Sequence, residues 1–215
     1  MGFATIEKAL EVIAAGGMVI VVDDESRENE GDVVMAAEFA TTQALTFMVS
    51  RCRGIVCAPM PERIARRLEL PLMVERNTDS MKTAFTVSVD LIAGVTTGVS
   101  AAERALTLRA LATADTTAQA LSRPGHIFPL IARNGGVEER AGHTEAAVDL
   151  AVLAGLSPVG VICEILKDDG SMARRADLEV FAQQNGLIII SIAALIVWKA
   201  ANAVSAKQAR PSLVA

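Results

Sequence analysis

Apolar positions set the reading of this chain. Ile6, Leu10, Ile13 and Ala14 recur at helical spacing, and Gly16-Gly17 stops the helix they predict. The apolar run Met18 to Val22 follows, a buried-strand pattern that ends in polar residues, and Asp32 to Ala37 reads as the returning strand. Helical spacing then covers Thr42 to Arg51, a short strand Gly54 to Ala58, and a helix Glu62 to Leu68 with Pro61 suited to its first turn. Ala84 to Asp90 alternates with period two, the pattern of a half-buried strand.

The second half continues the alternation. Ser100 and Glu103 form a capping-box pattern that opens a helix to about Ala112. Ile127 to Ala132 reads as a strand, Gly135-Gly136 as a turn, and Thr144 to Ala154 as a helix with Ala147, Leu150, Ala151 and Ala154 on one face. A strand Val159 to Leu166 turns at Asp168-Asp169-Gly170, followed by a helix Leu178 to Gln184, a strand Leu187 to Ile190, and a last helix to about Ala203. No internal repeat or linker interrupts the chain. Strands joined through helices predict a single α+β (mixed α/β) domain over residues 1–204, with a mixed β-sheet flanked by helices and a frayed tail over 205–215.

Composition narrows the function. The 215 residues are 52% apolar but only 3% aromatic, and three cysteines (Cys52, Cys57, Cys163) make an odd count without framework spacing. That excludes disorder, fits free thiols in a reducing cytosol, and leaves too few rings to stack nucleic-acid bases. Glu7 and Glu11 break the first apolar stretch, and the longest apolar run, Leu187 to Trp198, is too short for the ~20 residues a membrane span needs. The expectation is a cytoplasmic protein with no membrane or nucleic-acid partner.

Charge changes the picture more. The formal net charge is −5, from 25 acidic and 20 basic residues. Asp23, Asp24, Glu25, Glu28, Glu30 and Asp32, with the one cation Arg27, crowd positions 23–32; setting them aside leaves 19 of each sign. Six carboxylates in ten residues repel unless a cation compensates. A hard divalent ion such as Mg²⁺ fits, and a merely solvated turn is the alternative. The offset is expected to come largely from bound metal.

Both histidines of the chain stand in one frame, Arg123-Pro-Gly-His126 and Arg140-Ala-Gly-His143. Arg grips phosphate bidentately, glycine lets backbone approach a ligand, and imidazole transfers protons or binds metal. Glu164 interrupts an apolar strand, where burial would raise a carboxyl toward acid–base use; an outward-facing strand position is the alternative. Cys57 and Cys163 read as small buried thiols. Together these parts suit a phosphorylated sugar that chelates a metal while protons move between neighbouring carbons, in enolisation, aldol-type cleavage or a lyase step.

The same stretches carry a family resemblance. DDESRENEGD (23–32), GIVC (54–57), TAFTVSVD (83–90), TTGVSAAER (96–104), RPGHIFPL (123–130), RAGHTEAAVDLA (140–151), GVICEI (160–165) and DGSMAR (169–174) resemble 3,4-dihydroxy-2-butanone 4-phosphate synthases, in order along the chain. The resemblance implies a homodimeric lyase of riboflavin biosynthesis with active sites near the subunit interface. It implies Mg²⁺ or Mn²⁺, two ions per active site, and conversion of D-ribulose 5-phosphate into L-3,4-dihydroxy-2-butanone 4-phosphate and formate. Enolisation at C3, loss of the C1 hydroxyl, a skeletal shift and excision of C4 would follow in turn.

By motif, Glu28 and His143 are expected to hold metal. Arg27 and Asp32 are expected at the sugar, and Arg140, Ala141, Gly142, His143 and Thr144 around the phosphate at a helix start. Glu28 and Glu164 are expected to touch substrate as well, and His126 and Glu164 to be catalytic. The segment Ser191 to Ile196 departs from the family pattern, which more often shows Thr and an acidic residue there. A single activity is expected, without the GTP cyclohydrolase II domain fused to many relatives. Another Mg²⁺-dependent ketose-phosphate lyase or aldolase is the nearer alternative, and a non-catalytic cation-binding module the more distant one.

Overall fold

In the computed structural model, which describes residues 2–208, each of the inner strands is buried on both faces. Strands β1 (Val19–Val22), β2 (Gly31–Ala36), β3 (Cys57–Pro61), β4 (Val89–Leu91), β5 (Leu121–Ala132), β6 (Gly160–Glu164) and β7 (Ile189–Ser191) form one mixed sheet in the order β4-β5-β3-β6-β2-β1-β7. The β5–β3 and β1–β7 pairs are parallel and the others antiparallel. Successive strand residues point to opposite faces, so the apolar runs supply two cores.

Val19, Val21, Val34, Ala36 and Ile162 face helices α1 (Ile6–Ala14), α5 (His143–Leu153) and α7 (Ile192–Gln208). Ile20, Val33, Met35, Val161 and Cys163 face α2 (Thr42–Phe47), α3 (Glu62–Arg67), α4 (Ala101–Ala112) and α6 (Arg175–Asn185). Leu45, Met60 and Leu108 are wholly buried, each worth roughly 1.5–3 kcal/mol relative to an exposed position. Helix α5 lies close to the sheet because its packing residues are small; a Cβ added at Gly160 would stand 2.7 Å from Ala147 Cβ.

The expected α+β architecture is observed, with differences at particular elements. Strand β3 begins at Cys57 rather than Gly54, because Arg53 adopts a left-handed backbone (φ 69°) and turns the chain. Pro61 ends that strand and caps α3. The alternating stretch from Ala84 forms a regular strand only at Val89–Leu91, since Phe85 and Thr86 make isolated bridges to Leu130 and Leu72. Strand β5 starts six residues before Ile127, at Leu121, through the cis Arg123–Pro124 peptide. Helix α2 ends in a widened π turn, Met48–Cys52, and α6 begins at Arg175, where Asp177 accepts from the Arg174 amide. Helix α7 continues past Ala203 to Gln208, and residues 209–215 of the expected tail lie outside the described residues. No helix among the described residues is long and apolar enough to cross a membrane.

Candidate active site

The site lies where β1 and β6 end and β2 and β3 begin, beside the start of α5. Strand parity puts Asp32, Cys57 and Glu164 on the α5 face, in line with Val34 and Ile162. They line a cavity of about 200 Å³ together with Arg27, Glu28, Glu30, Arg140, His143 and Thr144. Asp79, Met81, Thr83 and Phe85 close its other side.

Loop 23–32 is organised from within. The buried Asp23 carboxylate accepts from the amides of Glu28 (3.0 Å) and Glu30 (2.8 Å) and from Arg27 Nη1 (2.9 Å). Asp24 accepts from the Ser26 amide and hydroxyl, Arg27 also pairs with Glu28, and Arg174 donates to the Glu28 and Asn29 carbonyls. Part of the acidic charge is therefore offset by Arg27, Arg174 and backbone amides, where the sequence predicts that the offset comes largely from metal.

The His143 ring is buried and its Nε2 donates to the Val21 carbonyl at 3.1 Å, which leaves Nδ1 turned toward Glu28 Oε2 (3.7 Å) and Asp32 Oδ1 (4.0 Å). Burial lowers the imidazole's proton affinity, but the charges of Asp32, Asp23 and Glu28 outweigh it and raise its pKa to about 9. The His143 imidazole facing it and nearby Arg27 hold Glu28 at about 2. Burial pushes Asp32 up to about 7, against the pull of His143. Glu164 Oε2 accepts from the Ile55 amide at 2.7 Å, and Gly54 packs so tightly on Glu164 that no side chain fits between.

Arg140 carries a role its motif did not reveal. Its Nη1 donates to buried Glu145 (2.7 Å), Nη2 to Thr83 Oγ1 (3.0 Å), and Nε and Nη2 to the Met81 carbonyl. It thus ties loop 77–83 to α5 and keeps one Nη1 hydrogen for a ligand. The loop closes on itself through Asn77 Nδ2 to the Thr83 carbonyl, the Thr83 amide to Asp79, and the Asp79 amide to Asn77. Gly142 underlies the site: a Cβ there would meet both the Arg140 and the Arg27 guanidinium.

A family model for 3,4-dihydroxy-2-butanone 4-phosphate synthase matches residues 7–198. This chain belongs to that family. It is 55% identical over 196 residues to the Agrobacterium fabrum 3,4-dihydroxy-2-butanone 4-phosphate synthase, covering 91% of this chain and 92% of that one. It is 58% identical over 200 residues to the Arabidopsis thaliana monofunctional riboflavin biosynthesis protein RIBA 2, covering 92% of this chain but 42% of that longer protein. Among solved structures, a 3,4-dihydroxy-2-butanone 4-phosphate synthase in complex with two magnesium ions superposes with a TM-score of 0.87 at 42% identity, covering 91% of this chain and 96% of that one. A two-domain synthase from A. baumannii gives 0.88 at 49% identity, covering 91% of this chain and 58% of that one.

The family's expected residues are only partly gathered by this chain. Arg27, Glu28, Asp32, Arg140, His143, Thr144 and Glu164 share the cavity. Ala141 lines a separate, larger space of about 500 Å³ behind the acidic loop, with Asp23, Asp24 and Glu25. His126 lines neither; its ring lies on Asp90, outside the cavity of its own chain. The residues present suit a hard divalent ion. Asp23, Glu28 and His143 each offer a ligand atom within 4.8 Å of the others. Asp23 already accepts from three donors, so Glu28 and His143 Nδ1 are the more open pair, and the Nε2 bond to Val21 fixes the tautomer a ligand needs.

Proposed function

We propose that this chain converts D-ribulose 5-phosphate into L-3,4-dihydroxy-2-butanone 4-phosphate and formate, in riboflavin biosynthesis. The observation that carries this is the convergence of an imidazole, five carboxylates and two guanidinium groups on one small polar cavity in a member of this family. Glu28 and His143 Nδ1 would hold Mg²⁺ or Mn²⁺, two ions per site with substrate and water completing the coordination. When bound, such ions polarise the sugar's oxygens and stabilise negative charge that develops on them.

The residues of the chain supply the rest. Arg27 and the free Nη1 hydrogen of Arg140 face an anion placed at the start of α5, where Thr144 and the helix amides assist. Asp32, held near neutrality by burial, and Glu164, held by the Ile55 amide, are neighbouring carboxyl groups able to pass protons between adjacent sugar oxygens. Met81, Phe85 and Leu130 limit water on the remaining wall.

His126 belongs to this reading through a homodimer. One chain leaves Ile55, Leu72, Met73, Val74 and Ile92 exposed, all about half exposed, and leaves His126 outside its own cavity. Pairing of two chains would cover such side chains and bring His126 of the partner subunit to the site. The test is formate release from ribulose 5-phosphate with and without EDTA. Formate and a four-carbon phosphate in equal amounts, lost with EDTA and restored by Mg²⁺, are expected; a three-carbon product would favour an aldolase.

A further inference from the structure

Asp90 grips His126 twice. Its Oδ1 accepts from the His126 backbone amide at 2.8 Å, and its Oδ2 lies 2.7 Å from the ring Nδ1. The carboxylate side chain is 8% exposed whereas the ring is 42% exposed, so the pair is anchored at one end and open at the other. Two glycines make room for it. Gly98 (φ +84°) lies over the pair, where a Cβ would overlap Asp90 Oδ2 and stand 2.8 Å from His126 Nδ1. Gly125 packs on the Val89–Asp90 backbone, where a Cβ would collide with main chain, and its amide donates to Ser88 Oγ.

A carboxylate only accepts, so a neutral imidazole beside it carries its proton on Nδ1 and exposes the Nε2 lone pair. Nε2 has no hydrogen bond among the described residues. We propose that Asp90 is the positioning residue of His126, fixing the tautomer in which Nε2 meets the substrate. This rests on the reading that His126 takes part in the reaction. The backbone contact matters as much as the ring contact, because it fixes which oxygen faces which donor.

That double contact makes Asp90→Asn a tautomer switch. The asparagine oxygen must stay on the His126 amide, which turns its NH₂ toward Nδ1. Nδ1 then has to accept, and the proton moves to Nε2, where the lone pair had been. The readout is direct because the chain has two histidines, so His126→Gln identifies the His126 ring signals by their loss. In ¹⁵N-labelled full-length protein the neutral His126 ring should be Nδ1–H; in Asp90→Asn it should be Nε2–H. With it, kcat for formate release should fall about 100-fold or more while KM changes less than about threefold, the range for losing a positioned acid–base group. Asp90→Glu, which keeps an acceptor-only partner, should restore the Nδ1–H signature and part of kcat.

An unchanged ¹⁵N pattern in Asp90→Asn overturns the proposal. So does normal kcat in Asp90→Asn when His126→Gln is silent. Activity in His126→Gln would overturn the role of His126 itself, and with it this proposal, while leaving the cavity residues untouched.

Discussion

Asp32 and Glu164 are cross-strand partners, paired in register where β2 and β6 run antiparallel into the cavity. They lie 132 positions apart in sequence yet occupy one pleat of one face, the α5 face. Side by side they differ in setting: Asp32 is buried against His143, whereas Glu164 takes an amide hydrogen bond from Ile55. Such different settings let one carboxyl give a proton while its neighbour takes one. Asp32→Asn and Glu164→Gln should each reduce kcat about 10²- to 10⁴-fold with a melting temperature within a few degrees of wild type. Steady-state formate assays beside thermal scans check this, and a tenfold or smaller loss in either variant would remove that carboxyl from the proton path.

The two strands could be read from sequence, because buried strands announce themselves as apolar runs, but their pairing and the inward face of Glu164 come only with the fold. The acidic loop and the His143 frame were legible because six carboxylates crowd ten positions and the chain has only two histidines, both in one frame. Other features depend on long-range contacts that no local pattern encodes. Nothing in the period-two stretch Ala84 to Asp90 says that Phe85 and Thr86 will answer to different partners. Arg140 looks like a phosphate ligand by motif, and only the fold brings Met81 and Thr83 to it. Asp90 ends a strand pattern without distinction until β5 lays His126 across it.

Metal binding should depend on Glu28 more than on its neighbours. Asp23 is committed to Arg27 and two amides, while Glu28 keeps a carboxylate at the cavity and faces His143 Nδ1. Glu28→Gln removes the charge and keeps the shape. Mg²⁺ affinity should fall about 10-fold or more by calorimetry, and formate release should stay low at saturating Mg²⁺. Wild-type affinity in this variant would shift the ligand role to another carboxylate.

The Arg140–Glu145 pair should be a stability element as well as part of the site. Glu145 is 1% exposed, accepts from the Arg133 amide at 3.0 Å, and is the charge partner of a mostly buried guanidinium. Removing one partner of such a pair leaves the other uncompensated, so Glu145→Ala should cost about 3–5 kcal/mol. For a chain of this size that lowers the melting temperature by roughly 6–20 °C. Loss of less than about 1 kcal/mol in denaturant unfolding would mean that water reaches Arg140 when its partner is gone.

Acid should loosen the loop over His126 before it reaches the core. Glu103 accepts from the Thr96 amide and hydroxyl, the Gly98 amide and the Ser100 hydroxyl, and the Thr96 hydroxyl bond leads the contacts that lower its pKa from 4.5 to about 2. A depressed folded value means the hold is complete above pH 4.5 and is lost as pH falls toward about 2. Amide resonances of Thr96 and Gly98 should therefore titrate together in that window, and Glu103→Gln should move them at neutral pH. Resonances that follow the global acid transition alone would show that the loop is held by something else.

Subunit complementation tests whether the site is shared. In the proposed homodimer, His126→Gln and Glu28→Gln should each be inactive, since each lacks one part of both sites. In a mixed dimer with a shared site, both defects fall in one site and the other is intact. Random mixing makes half the dimers mixed, each with one working site of two, so co-refolded equal amounts should recover about a quarter of wild-type activity by two-fold symmetry. If His126 served its own chain's cavity, each site in the mixed dimer would carry one defect. Activity would then stay at the level of the separate variants, and the exposed position of His126 would need another explanation.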